Sequence, residues 1–130
     1  MRKLTRLALA LSLVVSAATA SASGSGGELH LVTMDEMSVP IVDGARTDGV
    51  LRYQLVIEAK DDEAASQLTA KLPLLRAASL SAAIEFARLY ASPMMPVDAS
   101  RFSSYMTAAL KAQNLGVGRV LLVKVMAVRA

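Results

Sequence analysis

The chain has 130 residues, of which 54% are hydrophobic and 19% charged, and it contains no cysteine. A chain of this length forms one domain rather than two, and the lack of cysteine excludes disulfides and a lipid-attachment site. The formal charge is +3, but residues 1–22 carry all of it, so the remainder is near neutral and shows no basic patch for nucleic acid.

The first 22 residues have the pattern of a secretory signal peptide. Arg2, Lys3 and Arg6 precede an apolar run at 7–18, and small residues suited to cleavage follow it. The run is shorter than a comfortable membrane span. We therefore predict export to the periplasm, with an uncleaved N-terminal helix anchored in the inner membrane as the alternative. Residues 23–36 are predicted to be a flexible linker followed by an extended segment.

Two short apolar runs follow, at 29–34 and 37–42, and both are predicted to be strands. Pro40 makes the second run either an edge strand or an extended arm, because proline cannot donate a hydrogen bond to a neighbouring strand. His30, the single histidine, has no cysteine or second histidine to share a metal and is interpreted as a strand residue. Residues 43–49 predict a turn that pairs the second strand with the next one.

A long strand and a long helical segment form the centre of the chain. Apolar residues alternate with mostly polar ones at Leu51, Tyr53, Leu55, Ile57 and Ala59, which predicts a strand with one buried face. Three acids at 61–63 favour a helix N-terminus, and helical spacing continues to Tyr90. Pro73 permits two consecutive helices or one kinked helix. Leu55, Ile57, Leu72 and Phe86 are expected to share one core.

Residues 91–97 contain two prolines and are predicted to be a loop. Its methionines, Met94 and Met95, are candidate partner-contact residues, with gap filling beneath the loop as the alternative. Asp98 or Ser100 is expected to cap a third helix with an apolar face, and Asn114 with Gly116 is expected to end it.

The final run, 117–129, is dense in β-branched residues on both faces. That pattern is typical of a central strand covered on both sides or of a strand that pairs with another subunit. Val123 and Val125 are accordingly candidate partner contacts. The predicted fold is α+β, in the order β-β-β-α-(α)-α-β, with a mixed or antiparallel sheet of three to four strands packed by two to three helices.

No arrangement of residues in the sequence indicates catalysis. An enzyme would need a nucleophile with its base, paired carboxylates, a metal cluster or a phosphate-binding glycine loop, and the sequence shows none of these patterns. We therefore expect no catalytic, cofactor-binding or metal-binding residues. An apolar pocket leaves no motif in a sequence, so a periplasmic adaptor that binds a small ligand or a protein, unrelated to the flagellum, stays open.

Several segments resemble the FliL family of flagellar basal-body proteins. They are Val-Pro-Ile-Val at 39–42, Leu-Arg-Tyr-Gln-Leu-Val-Ile-Glu at 51–58, the helix start at 61–65, Leu-Pro-Leu-Leu-Arg-Ala at 72–77 and Gly-Arg-Val-Leu-Leu-Val-Lys-Val at 118–125. The likeness covers residues 37–128, within an expected FliL-like domain at 37–130.

The resemblance implies a non-enzymatic periplasmic domain of stomatin-like fold, active in motility. It also implies partners: other copies of the chain, in a ring or another homo-oligomer, and flagellar stator proteins. Membrane association would then come only through partners or an uncleaved N-terminus.

Overall fold

The computed structural model describes residues 29–113 and 116–130, so the predicted signal peptide, residues 23–28 of the predicted linker and extended segment, and the pair 114–115 lie outside the described residues. The fold is α+β, as predicted. Its elements are β1 (His30–Thr33), β2 (Met37–Asp43), β3 (Arg46–Ala59), α1 (Asp62–Ala70), α2 (Leu72–Tyr90), α3 (Ala99–Lys111) and β4 (Val117–Arg129).

The sheet is antiparallel and is built around β3. Strand β4 pairs with β3 along one side, from the pair Gly49–Arg129 to the pair Ala59–Val117. Strands β1 and β2 lie end to end along the other side, β1 beside the last residues of β3 and β2 beside the first. The sheet is therefore three strands wide, with β3 in the centre.

The hairpin between β2 and β3 confirms the predicted pairing. Asp43 pairs with Arg46 across a two-residue turn, and Gly44 at the turn has φ +60°. Glycine adopts this left-handed backbone without steric cost, which matches the residues favoured in two-residue hairpins.

One face of the sheet packs against the helices. The alternating residues of β3 are buried, and β2 and β4 add residues to the same core. Leu55, Ile57 and Phe86 are fully buried, and Leu72 packs against them while partly exposed, so the predicted cluster is confirmed. The other face of the sheet has no helix over it among the described residues.

The helices begin at residues that the sequence identifies. Asp61 caps α1 and accepts a hydrogen bond from the Ala64 amide at 2.7 Å, and Asp98 caps α3 by accepting from the Arg101 amide at 3.0 Å. Pro73 stands in the first turn of α2, where a missing amide costs nothing. The chain therefore forms two helices that meet at Lys71, the first of the two alternatives left open by the sequence.

Candidate functional site

The described residues offer little material for catalysis or metal binding. They contain no group of three or more His, Cys, Asp or Glu side chains close enough to hold a metal ion. His30 lies in β1, where its Nδ1 is 2.8 Å from an Asp62 carboxylate oxygen. This contact ties β1 to the first turn of α1, which is a structural role.

A small polar cluster lies within the core. The Tyr53 hydroxyl is 3.3 Å from Ser79 Oγ, and Ser79 donates to the Arg76 carbonyl oxygen at 2.9 Å. Burial raises the pKa of Tyr53, an effect partly offset by the hydrogen bond with Ser79. No buried side-chain nitrogen or oxygen in the described part of the chain lacks a partner. The cluster is therefore satisfied by the fold and leaves no group directed at a ligand.

The strongest candidate for an interaction surface is the outer edge of β4. Within the described residues β4 pairs only with β3, so its other side presents free backbone donors and acceptors along 13 residues. Such an edge is a template for another strand. It carries Arg119, Lys124 and Arg129 and no acid. We call it the basic edge.

The opposite edge of the sheet has the reverse charge. Residues 30–43, which contain β1 and β2, include Asp35, Glu36 and Asp43 and neither lysine nor arginine. We call this side of the sheet the acidic edge. Pro40 lies within it and withholds one backbone donor. The two edges of the sheet are thus oppositely charged, although the domain as a whole is near neutral.

The open face of the sheet joins the two edges through an ion row formed by Glu36, Arg52 and Lys124. One Glu36 oxygen lies 2.7 Å from the Arg52 guanidinium, and the other accepts from Lys124 Nζ at 2.6 Å. The hydrogen bond from Lys124 lowers the pKa of Glu36, and the charge of Arg52 adds to the effect against a partial opposition from burial. The row holds two cations for one carboxylate.

The two predicted contact residues of β4, Val123 and Val125, lie in different environments. Val123 is 59% exposed and sits in a bulge, because Gln54 pairs with Lys124 while Leu55 pairs with Leu122. Val125 lies opposite Tyr53 and packs against the core, partly buried. Val123 is therefore available to a partner at the basic edge, whereas Val125 mainly supports the fold.

Met94 and Met95 form an exposed tip on the loop between α2 and α3. They are 68% and 63% exposed, and the Arg129 guanidinium lies 2.9 Å from Met94 Sδ. The loop borders a cavity of about 320 Å³ that also touches Thr47, Asp48 and the end of β4. The structure thus brings Met94 near the end of the basic edge and does not place it with Val123.

A second cavity, of about 410 Å³, is an open groove between α2 and α3. Its walls are mainly small side chains, among them Ala77, Ala78, Ser81 and Ala109, with Glu85 at one side. The groove has no deep apolar enclosure of the kind that buries most of a small ligand.

The charge contrast between the two sheet edges is the feature that sequence reasoning missed. Its signal is present in the sequence, since residues 30–43 carry three acids and 117–129 three basic residues. The contrast becomes meaningful only when both segments are known to flank the same central strand.

No family model matches the chain, and a search of curated proteins finds no similar sequence. None of the helices in the described ranges is long and apolar enough to cross a membrane.

Proposed function

We propose that this chain is a non-enzymatic, FliL-like periplasmic protein that acts as a self-associating scaffold linked to the flagellar basal body or stator. The flagellar part of the proposal rests on the residue likeness between positions 37 and 128. The element order β-β-β-α-α-α-β is the order predicted from the residue patterns of the sequence.

The basic edge is the observation that carries the self-association. Within the described residues β4 presents an uncovered edge of 13 residues, which invites pairing. Natural sheets protect such an edge with proline, charged side chains, β-bulges or a covering element. Strand β4 has charged side chains and two bulges, but no proline and, in the described part of the chain, no covering strand. Its exposed Val123 adds apolar surface. These features suit an edge that is covered by a partner.

Sedimentation velocity of the protein purified from the periplasm, after expression of the full chain, tests the scaffold. We expect a discrete oligomer at micromolar concentration. A strict monomer at high micromolar concentration would contradict self-association. Loss of swimming in soft agar after deletion of the gene, restored by a plasmid copy, tests the flagellar link separately.

Export is a further part of the proposal, and N-terminal sequencing of the purified protein tests it. The pair of small-residue sites around Ala20 and Ala22 predicts a new N-terminus at Ser21 or Ser23. An intact Met1 in the membrane fraction would instead indicate the uncleaved anchor.

A ligand-binding or protein-binding adaptor unrelated to the flagellum is the second candidate. The open groove of about 410 Å³ between α2 and α3 favours its protein-binding form, because the groove is too open to enclose a small ligand. Native mass spectrometry separates the two functions. A co-purified small molecule on a monomer supports the adaptor, whereas a ligand-free oligomer supports the scaffold.

A further inference from the structure

The relative direction of the two outer edges decides how copies of this chain can join. Strands β1, β2 and β4 are all antiparallel to β3, so the basic edge and the acidic edge run parallel to each other. Two copies in the same orientation can therefore place the basic edge of one beside the acidic edge of the next. This contact uses two different surfaces, so it is head-to-tail and can repeat.

Charge favours this arrangement over a symmetric one. Two β4 strands placed side by side would bring together six basic residues and no acid from those strands, and like charges on facing strands are destabilising. A basic edge beside an acidic edge instead places like charges apart. Arg119 already pairs with Glu58 within its own copy, and Asp35 with Arg76. Lys124 and Glu36 are therefore the pair that the contact brings together. Because Pro40 withholds a backbone donor, this contact depends more on side-chain charge than an ordinary strand pair does.

The ion row gives the contact a specific partner. Within one copy Lys124 reaches Glu36 across the whole width of β3, a distance of two strand spacings between backbones. In an edge-to-edge assembly the Glu36 of the next copy, in the link between its β1 and β2, lies beside β4 at a backbone separation of one strand spacing, about 4.8 Å. Lys124 can then bind a carboxylate whose backbone is one strand spacing away instead of two, while Arg52 keeps the Glu36 of its own copy.

We propose that copies of this chain join edge to edge through parallel pairing of β4 with the β1–β2 side of the next copy, Lys124 binding the neighbouring Glu36. The sheet then continues from copy to copy, and the ion row repeats along it with one carboxylate and two cations per copy. The inference rests on the proposed self-association and specifies its contact surface.

The absence of cysteine from the chain makes disulfide trapping a clean test. Ser38 and Met126 both pair with Arg52 of β3 and so lie at the same height on opposite edges. In the proposed contact they become neighbours one strand spacing apart, about 4.8 Å, within the usual Cα separation of about 4.4–6.8 Å for a disulfide. Within one copy they stand about two spacings apart, beyond the reach of a disulfide.

We expect the double variant Ser38→Cys with Met126→Cys to form a ladder of covalent dimers, trimers and larger species on a non-reducing gel after mild oxidation. Each single variant should stay monomeric on the same gel, because its cysteine faces a residue without a thiol, Met126 or Ser38. Circular dichroism and thermal melting of the reduced proteins control for folding.

The outcomes separate this inference from the proposed function. Covalent dimers of Met126→Cys alone would indicate symmetric pairing of two β4 strands and overturn the head-to-tail contact. A double variant that does not cross-link, although the unmodified protein sediments as an oligomer, would overturn the edge contact and leave the scaffold intact. If the unmodified protein sediments as a monomer, the proposed scaffold function is itself overturned.

Discussion

At the scale of single residues, Phe86 holds the helices together. Its ring is fully buried and meets those of Phe102 and Tyr105 edge to face, at centroid distances of 5.0 and 5.6 Å. Truncation to alanine leaves a cavity between α2, α3 and the sheet. We expect Phe86→Ala to lower the free energy of unfolding by about 3–5 kcal/mol, measured by chemical denaturation.

Leu89→Ala is the matched control for Phe86→Ala, because Leu89 lies one turn away on the same helix and is half exposed. The free energy of unfolding should change by no more than about 0.5 kcal/mol in this variant. Similar losses in the two variants would show that Phe86 is not part of the tightly packed core.

Tyr53 gives the second prediction at this scale. Burial raises the pKa of Tyr53 in the folded protein, whereas the unfolded chain releases that proton near pH 10. Tyr53 therefore ionises at a lower pH in the unfolded chain than in the folded protein. The free energy of unfolding falls as the pH rises above about 10. In urea titrations between about pH 8 and 11, Tyr53→Phe should lose less stability than the unmodified protein. A constant difference between the two across this range would contradict the assignment.

At the scale of elements, Gly49 lies close to Pro93 in the loop before α3 and to Val128 of β4. A Cβ placed on Gly49 would lie 2.4 Å from the Val128 carbonyl oxygen and 2.9 Å from Pro93 Cβ. The clash cannot be relieved by a side-chain rotation, because the Val128 oxygen belongs to the backbone of β4 and Pro93 Cβ to a proline ring in the loop. We expect Gly49→Ala to cost about 1–3 kcal/mol of unfolding free energy.

Gly44→Asn serves as the control, since open space surrounds Gly44 and asparagine tolerates its positive φ. Both variants can be compared by thermal melting. A smaller drop in melting temperature for Gly49→Ala than for Gly44→Asn would mean that the loop moves aside at little cost and does not fix the end of β4.

The elements themselves could be read from the sequence because each has a local cause. Strict alternation from Leu51 to Ala59 gives β3 its buried face, and Asp61 and Asp98 supply the caps of α1 and α3. The position of β4 could not be predicted in this way. An edge strand with one face packed on helices and apolar residues partly buried on its other face has the same apolar pattern as a central strand.

The candidate contact residues show a second limit of sequence reasoning. Val123 and Val125 would share one face of a regular strand, but the bulge leaves Val123 without a partner on β3 and sets Val125 opposite Tyr53. A bulge inserts one residue and shifts the alternation after it. No residue in the sequence of β4 marks that point, so the different environments of the two valines depend on the pairing with β3.

At the scale of the whole molecule, the charges are separated along the sheet while the domain stays near neutral. The basic and acidic edges lie on opposite sides of β3, and in the described part of the chain the helices cover one of the two faces of the sheet. A domain of this kind has little net charge to keep copies apart and a strong charge difference between its two edges. Association through the edges should therefore be governed by electrostatics at short range.

Salt dependence is the measurement that follows from this charge separation. The screening length falls from about 10 Å at 0.1 M salt to about 3 Å at 1 M, so exposed pairs between edges weaken as salt is added. We expect the weight-average sedimentation coefficient of the oligomer to fall over that range. Lys124→Gln should lower it already at 0.1 M, whereas Lys111→Gln, an exposed change at the end of α3, should not. Association that strengthens with salt would instead identify an apolar contact, such as the methionine tip or the groove between α2 and α3.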